Sequence, residues 1–378
     1  MTKILLSFAA FILLVSISGC EDYKKKNLNP KFHSQLVSAL NLKLVATDSM
    51  YHGSTMRIAH DTIFGYFKFK KPKSWDDDSQ NYYFIQDLNN LKKIYKISSD
   101  YNYPLGVDTL DGGKFYFSAG GISIVSIDTN GNHRQYFKKY NDSMFNASSI
   151  MLFKNRASIR SMNGLYVFDI INEKLLWKYK FPSTGIIDAK TVLGKLVFPL
   201  TKDQNQSKTI QDSLLCVDLD SAKYSWKIGF KGEDLRGGVG TYSLFKNKIS
   251  GEIEKRIYVG TNKRALALNL ENGKIVHADS NYSSIQPTNK SGFLARKRND
   301  CFLLDEAYHP VWRIKNFIPI GFHDDFIIGT SLNRLNYFIF NTSTGKLVAR
   351  IAIDDPEDLE FFMMGSTYIL IDNIYLYK

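Results

Sequence analysis

The sequence predicts an all-β protein built from repeated four-stranded antiparallel sheets, and three observations support this fold class. From about residue 38 onward, short runs rich in Ile, Val, Tyr and Phe alternate with Gly, Asn, Asp and Ser, a pattern typical of strands joined by tight turns. One hairpin motif recurs seven times along this segment. The segment also shows no long amphipathic helical pattern, so no layer of helices is expected.

The N-terminus is excluded from the fold because it has the layout of a secretory signal. Lys3 gives a positive start, and Ile4 to Ile17 is an apolar run of about 14 residues, shorter than the roughly 20 that span a bilayer. The sequence ISGC that ends at Cys20 resembles the bacterial lipobox. The resemblance implies that segment 1–19 is removed and that acylated Cys20, bearing palmitate-like chains, anchors the protein in a membrane.

Segment 20–37 is interpreted as a flexible tether, and residues 38–378 are assigned to the folded domain. The tether is polar, rich in lysine and almost without apolar periodicity, a composition that buries too little apolar area to fold. A lipid anchor behind a secretory signal predicts a cell-envelope protein, and we expect it at the outer membrane.

The recurring hairpin pairs an Asp or Asn at the end of one strand with an aromatic position eight residues later. The Asp or Asn is expected to cap the turn by accepting bonds from backbone N–H groups, and the aromatic is expected to pack on the next sheet. Gly273 and Gly345 stand four residues after their Asn, where a turn often needs a positive φ. The seven pairs are Asp87 and Tyr95, Asp128 and Tyr136, Asp169 and Trp177, Asp218 and Trp226, Asn269 and His277, Asp305 and Trp312 (one residue closer), and Asn341 and Ala349.

Two further strand-like runs precede each hairpin, so each unit has four strands, A to D. Three runs after the seventh unit, 360–364, 367–372 and 374–377, have the pattern of strands A to C of an eighth. The unassigned run 42–47 supplies its fourth strand, which pairs the two ends of the chain and removes exposed edges. Sheets of this kind stack around an axis. The sequence therefore predicts an eight-bladed β-propeller closed by its N- and C-terminal strands, with seven blades as the alternative.

The repeat resembles that of PQQ-like (quinoprotein-type) propellers, over residues 38–378. Three copies keep Trp at the aromatic position, namely Trp177, Trp226 and Trp312. The family implies an axial quinone, an Asp base and a Ca²⁺ site, often with a disulfide between adjacent cysteines. This chain has no adjacent cysteine pair, and its repeated tryptophans occupy structural positions. We therefore expect no cofactor, no metal and no catalytic residue.

Two cysteines remain in the domain, and both are predicted to be free and buried. Cys216 and Cys301 lie on C strands of the fourth and sixth units, with a whole unit between them. A disulfide requires Cα atoms within about 7 Å, and an unpaired cysteine is among the residues most often buried.

Candidate partner-binding residues are basic side chains on or beside the B–C loops, which share one end of the sheets with the D–A connections. Ordinary solvated loops are the alternative reading, and the acidic segments 233–234 and 354–358 weaken the basic character of this end. Trp75, in a polar loop, is a further candidate because Trp is enriched at binding hot spots. The basic candidates are Arg160, Arg264, Arg296, Lys297, Arg298 and Arg334.

The overall charge narrows the classes of partner. The chain carries 49 Lys and Arg against 37 Asp and Glu, a formal net charge of +12, which favours anionic surfaces and acidic partners. These charges are scattered and the chain is expected to be exported, so we expect no nucleic acid. The order of lipobox, tether and repeated four-stranded units is similar to that of the accessory propeller lipoproteins of the β-barrel assembly machinery. It implies a non-catalytic scaffold or adaptor that binds another envelope protein; the alternatives are a glycan or small-ligand binder and a quinone-dependent dehydrogenase-like enzyme.

Overall fold

The computed structural model shows a nearly all-β chain with one helix in the described residues. Cys20 and Trp75 lie outside those residues. The described residues are 30–47, 55–59, 62–68, 81–98, 104–110, 114–119, 124–137, 147–161, 164–180, 189–200, 212–235, 242–246, 253–288, 292–353, 361–364, 367–371 and 375–378.

The strands form four-stranded antiparallel sheets, which we number I to VIII in chain order. One compact unit, residues 54–318 and 342–345, contains sheets I to VI. Sheet I comprises β2 (Thr55–Ala59), β3 (Thr62–Lys68), β4 (Asn81–Asp87) and β5 (Lys93–Ser98), and sheet II comprises β6 (Pro104–Leu110), β7 (Lys114–Ala119), β8 (Ile124–Ile127) and β9 (His133–Tyr136). Sheet III comprises β10 (Ala147–Phe153), β11 (Arg156–Ser161), β12 (Gly164–Asp169) and β13 (Lys174–Lys180), and sheet IV comprises β14 (Lys190–Val192), β15 (Lys195–Leu200), β16 (Ser213–Asp218) and β17 (Lys223–Gly229). Sheet V comprises β18 (Tyr242–Lys246), β19 (Ile253–Gly260), β20 (Ala265–Asn269) and β21 (Ile275–Asp279), and sheet VI comprises β22 (Ser284–Pro287), β23 (Phe293–Lys297), β24 (Asp300–Leu304) and β25 (Pro310–Ile314).

The other compact unit, residues 1–53, 319–341 and 346–378, contains the helix, most of sheet VII and all of sheet VIII. The helix is α1 (Pro30–Leu40). Sheet VII comprises β26 (Phe317–His323), β27 (Phe326–Ser331), β28 (Asn336–Asn341) and β29 (Leu347–Ala352), and sheet VIII comprises β30 (Phe361–Met364), β31 (Tyr368–Ile371), β32 (Tyr375–Tyr377) and β1 (Leu44–Thr47).

Sheet VIII combines strands from both ends of the chain. Its order is β30, β31, β32 and β1, so the N-terminal strand occupies the outer position that the sequence assigned to run 42–47. Strand β1 pairs antiparallel with β32, with Leu44 opposite Tyr377 and Thr47 opposite Tyr375. In addition, Lys43 and Lys378 exchange backbone hydrogen bonds of 2.8 and 2.9 Å. The pairing covers an edge of β32 that would otherwise be open.

The helix corrects the prediction of a flexible tether, which is wrong for residues 30–37. Phe32 and Leu36 are fully buried and join an apolar cluster with strands of sheets VII and VIII. His33 Nε2 lies 2.5 Å from the hydroxyl of Tyr377. Sequence inspection missed this helix because its 11 residues make a short local pattern. Isolated helices of this length gain most of their stability from tertiary packing.

The cores lie between consecutive sheets. Sheets I and II meet through the stacked rings of Phe64 and Phe115, whose centroids are 5.2 Å apart. Tyr116 of sheet II packs in one buried cluster with Phe168 of sheet III. Equivalent clusters join sheets III and IV, IV and V, and V and VI. Sheets I to VI therefore bury faces against their sequence neighbours, as stacked repeats do.

The outer strands of sheets III to VII carry a β-bulge beside the repeated aromatic position. In sheet IV, for example, Cys216 pairs with Trp226 and Val217 pairs with Tyr224, so Ser225 is the extra residue. A bulge twists an edge strand away from regular pairing and discourages edge-to-edge association. The bulged residues are Leu176, Ser225, Val276, Val311 and Val348.

Candidate functional site

The repeated Asp or Asn holds each C–D turn in a fixed shape. Asp128 Oδ1 accepts the backbone N–H groups of Asn130 and Asn132 at 2.9 and 2.8 Å. Such bonds satisfy turn N–H groups that strand pairing leaves open, so successive sheets present equivalent turn positions to solvent. Bonds of the same kind are accepted by Asp87, Asp169, Asp218, Asn269 and Asp305.

A cation from the B strand supports two of these turns. Arg156 Nη1 lies 2.6 Å from Asp169 Oδ2, and Lys195 Nζ lies 2.8 Å from Asp218 Oδ2. The hydrogen bond from Lys195, with the backbone N–H of Ser221, lowers the pKa of Asp218 to about 2. These carboxylates are therefore ionised and neutralised within the protein.

The tryptophans of the outer strands attach each sheet to the turn of the next. Trp226 Nε1 donates a 2.8 Å hydrogen bond to the carbonyl oxygen of Leu270, and its ring lies against Gly273. Trp312 Nε1 donates a 3.0 Å bond to the carbonyl oxygen of Thr342 in the same way. Trp226 and Trp312 thus occupy equivalent sites, and their role is structural.

In two other copies, the side chain at the aromatic position contacts a ring of the next sheet. His277 stacks on Tyr308, which belongs to the turn of the next sheet, with ring centroids 3.6 Å apart and an interplanar angle of 5°. Trp177 contacts Tyr224 edge to face, with centroids 5.6 Å apart. Neighbouring C–D turns therefore lie at the same end of their sheets.

All seven turns contain a residue with positive φ, although only three are glycine there. A glycine reaches this conformation without steric cost, whereas other residues are strained. Five of these residues stand four positions after the Asp or Asn and two stand three positions after it, and the positive φ occurs whether or not the residue is glycine. The positions are Leu91, Gly131, Glu173, Ala222, Gly273, Tyr308 and Gly345.

At the B–C end of the sheets, Arg264 is engaged by an internal partner. Its guanidinium contacts Glu233, with Nη2 2.8 Å from Oε1, and Thr261 Oγ1 donates a 2.8 Å bond to the same carboxylate. Glu233 is the acid that the sequence analysis named as weakening the basic character of this end. The pair ties a D–A connection to a B–C loop, so Arg264 is a poor candidate for binding a partner.

The other basic candidates at the B–C end of the sheets differ in how exposed their side chains are. Arg160 and Arg296 are partly buried on B strands. Lys297, Arg298 and Arg334 are exposed, and the two arginines hold tight turns with φ of 56° and 59°. Within the described residues, these three side chains form no ion pair. They are the part of the predicted basic set that can reach a partner.

A second exposed surface, at the C–D turns, was missed by the sequence analysis. In sheets III to V it combines lysines with exposed apolar side chains, sheet VI adds Val311, and Ile171 is its most exposed apolar member, at 70%. The missed signal was a Lys or His at the start of each D strand, followed within two residues by an apolar side chain. We call this set the C–D turn surface: Ile171, Lys174, Lys223, Tyr224, Lys274, Ile275, Val276 and Val311.

The carboxylates near the C–D turn surface are mostly engaged by other cations. Glu271 pairs with Lys195 and Lys255, and the 2.9 Å bond from Lys255 is the main cause of its lowered pKa. Asp220 pairs with Lys154 at 3.1 Å. Further along, Glu173 pairs with Arg134, and Glu254 pairs with Arg256.

The two domain cysteines are free and fully buried. Burial raises the pKa of Cys216 and of Cys301 to about 12. The thiolate is the reactive form, so neither thiol is poised as a nucleophile or a metal ligand at neutral pH.

Other site types are not visible in the part of the chain that the structure describes. There, no group of three or more His, Cys, Asp or Glu side chains could hold a metal ion. No helix among these residues is long and apolar enough to cross a membrane. An open groove of about 340 Å³ lies between α1 and β29, lined by residues such as Gln35 and Arg350.

Comparison with known proteins identifies the fold. No family model and no curated protein matches the chain in sequence. Among solved structures, BamB from Moraxella catarrhalis shares 10% identity, covers 89% of this chain and 97% of its own, and gives a TM-score of 0.56. Dihydro-heme d1 dehydrogenase NirN, in complex with DHE, shares 12% identity over 83% of this chain and 74% of its own, with a TM-score of 0.52. The computationally designed protein Ika8 shares 8% identity over 89% of this chain and 99% of its own, with a TM-score of 0.52.

These likenesses concern architecture. The neighbours include a dehydrogenase and a designed protein, so the fold does not by itself assign an activity. Three features agree with the same architecture: four-stranded sheets in sequence order, the bonds of Trp226 and Trp312 to the turn of the next sheet, and a final sheet completed by the N-terminal strand. The chain has a BamB-like β-propeller fold.

Proposed function

We propose that the protein is a non-catalytic scaffold, anchored in a membrane of the cell envelope through Cys20, that binds another envelope protein. In this proposal the eight sheets are the blades of one closed ring, and the pairing of β1 with β32 closes it. The BamB-like fold and the similarity in layout to accessory lipoproteins of the β-barrel assembly machinery both support the assignment.

The observation that carries the proposal is the exposed pair Lys297 and Arg298 at the B–C turn of sheet VI. Both side chains are exposed and form no ion pair within the described residues, whereas Arg264 is already neutralised by Glu233. Exposed cations steer and orient an acidic partner because their charge is not already balanced. We therefore assign partner recognition to the B–C turns, with Arg334 as a further contributor.

The test is photo-crosslinking in native membranes, with a photoreactive residue at position 299, followed by co-purification. The variant combines Lys297→Glu with Arg298→Glu. The control combines Lys178→Glu with Lys227→Glu, which makes the same charge change on exposed outer-strand residues. We expect the first pair to reduce the crosslinked partner by about tenfold or more and to flatten its salt dependence, and the control to leave both unchanged.

Two outcomes would overturn the proposal. Equal crosslinking by both double variants would show that the B–C turns do not recognise the partner. Stoichiometric quinone and Ca²⁺ in the protein purified from membranes would instead support an enzyme of the quinoprotein type.

A further inference from the structure

The C–D turn surface lies at the end of the sheets opposite the B–C turns. In sheets IV and V it repeats one arrangement: a lysine at the start of the D strand, then one or two exposed apolar residues. Lys223 precedes Tyr224, and Lys274 precedes Ile275 and Val276. Because the turns are fixed by their Asp or Asn caps and by contacts between sheets, these side chains share one end of the unit.

We infer that the C–D turn surface docks on an anionic lipid bilayer. Its lysine ammonium groups contact the headgroup phosphates, and its apolar side chains enter the boundary between headgroups and acyl chains. This contact is additional to any lipid anchor, and it fixes which end of the sheets faces the membrane.

The lysines are available for this contact. Within the described residues, Lys174, Lys223 and Lys274 form no ion pair, and all three are exposed. The nearby acids are engaged elsewhere, as Glu271 is by Lys195 and Lys255. A lysine near an anionic membrane surface is attracted strongly enough for a few such residues to decide binding.

The apolar side chains favour a lipid surface over a protein partner. Except for Tyr224 they are aliphatic, and in sheets III to V they lie singly or in pairs near lysines, such as Ile171 near Lys174 and Val276 near Lys274. Lysine is depleted in protein–protein interfaces, whereas lysines beside exposed apolar groups are the composition of elements that lie on membranes. Sheet VI differs, since it carries His309 and Glu306 in place of a lysine, so we place the contact mainly on sheets III to V.

The test uses the full chain, labelled at Ile171→Cys with an environment-sensitive fluorophore. Cys20 is replaced by Ser in every labelled variant, and the native Cys216 and Cys301 are buried, so labelling is selective for the introduced thiol. The protein is mixed with vesicles of phosphatidylglycerol and phosphatidylethanolamine, or of phosphatidylcholine alone. We expect a blue shift, and quenching by spin-labelled lipid, only with the anionic vesicles. Because the readout is local, it is independent of whether another segment holds the protein to the vesicle.

A charge-reversal series supplies the control. Lys174→Glu, Lys223→Glu and Lys274→Glu together are expected to reduce the quenched fraction by about tenfold or more. The matched triple Lys178→Glu, Lys180→Glu and Lys227→Glu, also on exposed residues of outer strands, is expected to retain it. Unchanged circular dichroism establishes that the variants are folded.

Three results would overturn the inference. The first is a label at position 171 that shows no blue shift with anionic vesicles. The second is an equal blue shift with both vesicle types. The third is protection of the label only in native envelopes that contain protein. The last result would assign the surface to a protein partner. Each is independent of crosslinking at position 299, so failure of one proposal leaves the other standing.

Discussion

The indole N–H of Trp226 donates a 2.8 Å hydrogen bond to the carbonyl oxygen of Leu270, a residue 44 positions later in the turn of the next sheet. Trp312 repeats the contact with Thr342. Both indoles are partly buried, and an indole removed from water needs a partner for its N–H, which a backbone carbonyl of the next turn supplies. The contact couples neighbouring sheets, so its loss should lower the free energy of unfolding of the whole domain.

Gly273→Ala is expected to destabilise the fold by about 2–4 kcal/mol. Its φ is +71°, and an added Cβ would lie 2.7 Å from the ring atoms Cδ2 and Cε3 of Trp226. Gly232→Ala is the matched control, because its φ is +69° but the nearest atom to the new Cβ is Lys263 Nζ at 3.8 Å. The control should lose only about 1–2 kcal/mol from backbone strain. Urea denaturation measures both, and equal losses would show that packing on Trp226 contributes nothing.

Ala222→Gly is expected to stabilise the protein by about 0.5–1 kcal/mol. Ala222 has a φ of 52°, a conformation that strains a residue with a Cβ. Ala278→Gly, on the outer strand β21, is the control and should destabilise by about 0.5–1 kcal/mol, because glycine weakens an ordinary strand. The two changes should move the thermal midpoint in opposite directions; a decrease for both would contradict the strain argument.

Asp218→Asn is expected to lower the free energy of unfolding at pH 7 by about 1–2 kcal/mol. The pKa of Asp218 is lowered from 3.8 to about 2, so its contribution is fully present above the unfolded-state value and is lost as the pH falls from 3.8 towards 2. The difference from the parent protein should therefore disappear in that range. Urea titrations at stepped pH measure it.

Asp220→Asn serves as the control for this prediction. Its 3.1 Å pair with Lys154 has both side chains more than half exposed, and such pairs contribute less than about 1 kcal/mol. If Asp220→Asn cost as much as Asp218→Asn, the bond from the partly buried Lys195 would not be the source of the effect.

Cys216 and Cys301 are expected to resist alkylation in the folded protein. At pH 8, a pKa of about 12 leaves only about one thiol in 10⁴ ionised, and burial also blocks access. Iodoacetamide labelling followed by mass spectrometry should detect modification only in denaturant. The exposed thiol of Ile171→Cys is the positive control. Rapid labelling of either native cysteine without denaturant would contradict the described burial.

Phe32→Ala is expected to release α1 from its sheets. Phe32 is fully buried and meets Tyr337 with ring centroids 5.1 Å apart, so removal of its ring should cost about 3–5 kcal/mol of local stability. Hydrogen exchange in residues 31–40 should accelerate, whereas exchange in sheets III to V should change little. Gln35→Ala, at an exposed helix position, is the control. Fast exchange of residues 31–40 in the unmodified protein would instead support the prediction that residues 30–37 belong to a flexible tether.

Local sequence was sufficient to locate the hairpins. The interval from Asp169 to Trp177 encodes a strand end, a capped turn and a returning strand, and all of these interactions lie within about ten residues. Likewise, the run at 42–47 had to find a partner, because an unpaired strand leaves backbone groups unsatisfied. These features could be predicted because short-range spacing and hydrogen-bond requirements determine them.

Only the tertiary structure decided which residues far apart in sequence contact each other. The sequence made Arg264 a candidate for binding a partner, but the fold places Glu233 beside it. The buried face of α1 exists only because strands of sheets VII and VIII pack against it. The positive φ of Ala222 and Glu173 is likewise imposed by turns whose sequence lacks glycine. Composition determined the positive charge, and the local order of residues determined the strand-forming segments. Which cations remain exposed, and at which end of the sheets, depends on contacts between residues far apart in sequence, because only packing of the sheets brings an acid within reach of one cation and not of another.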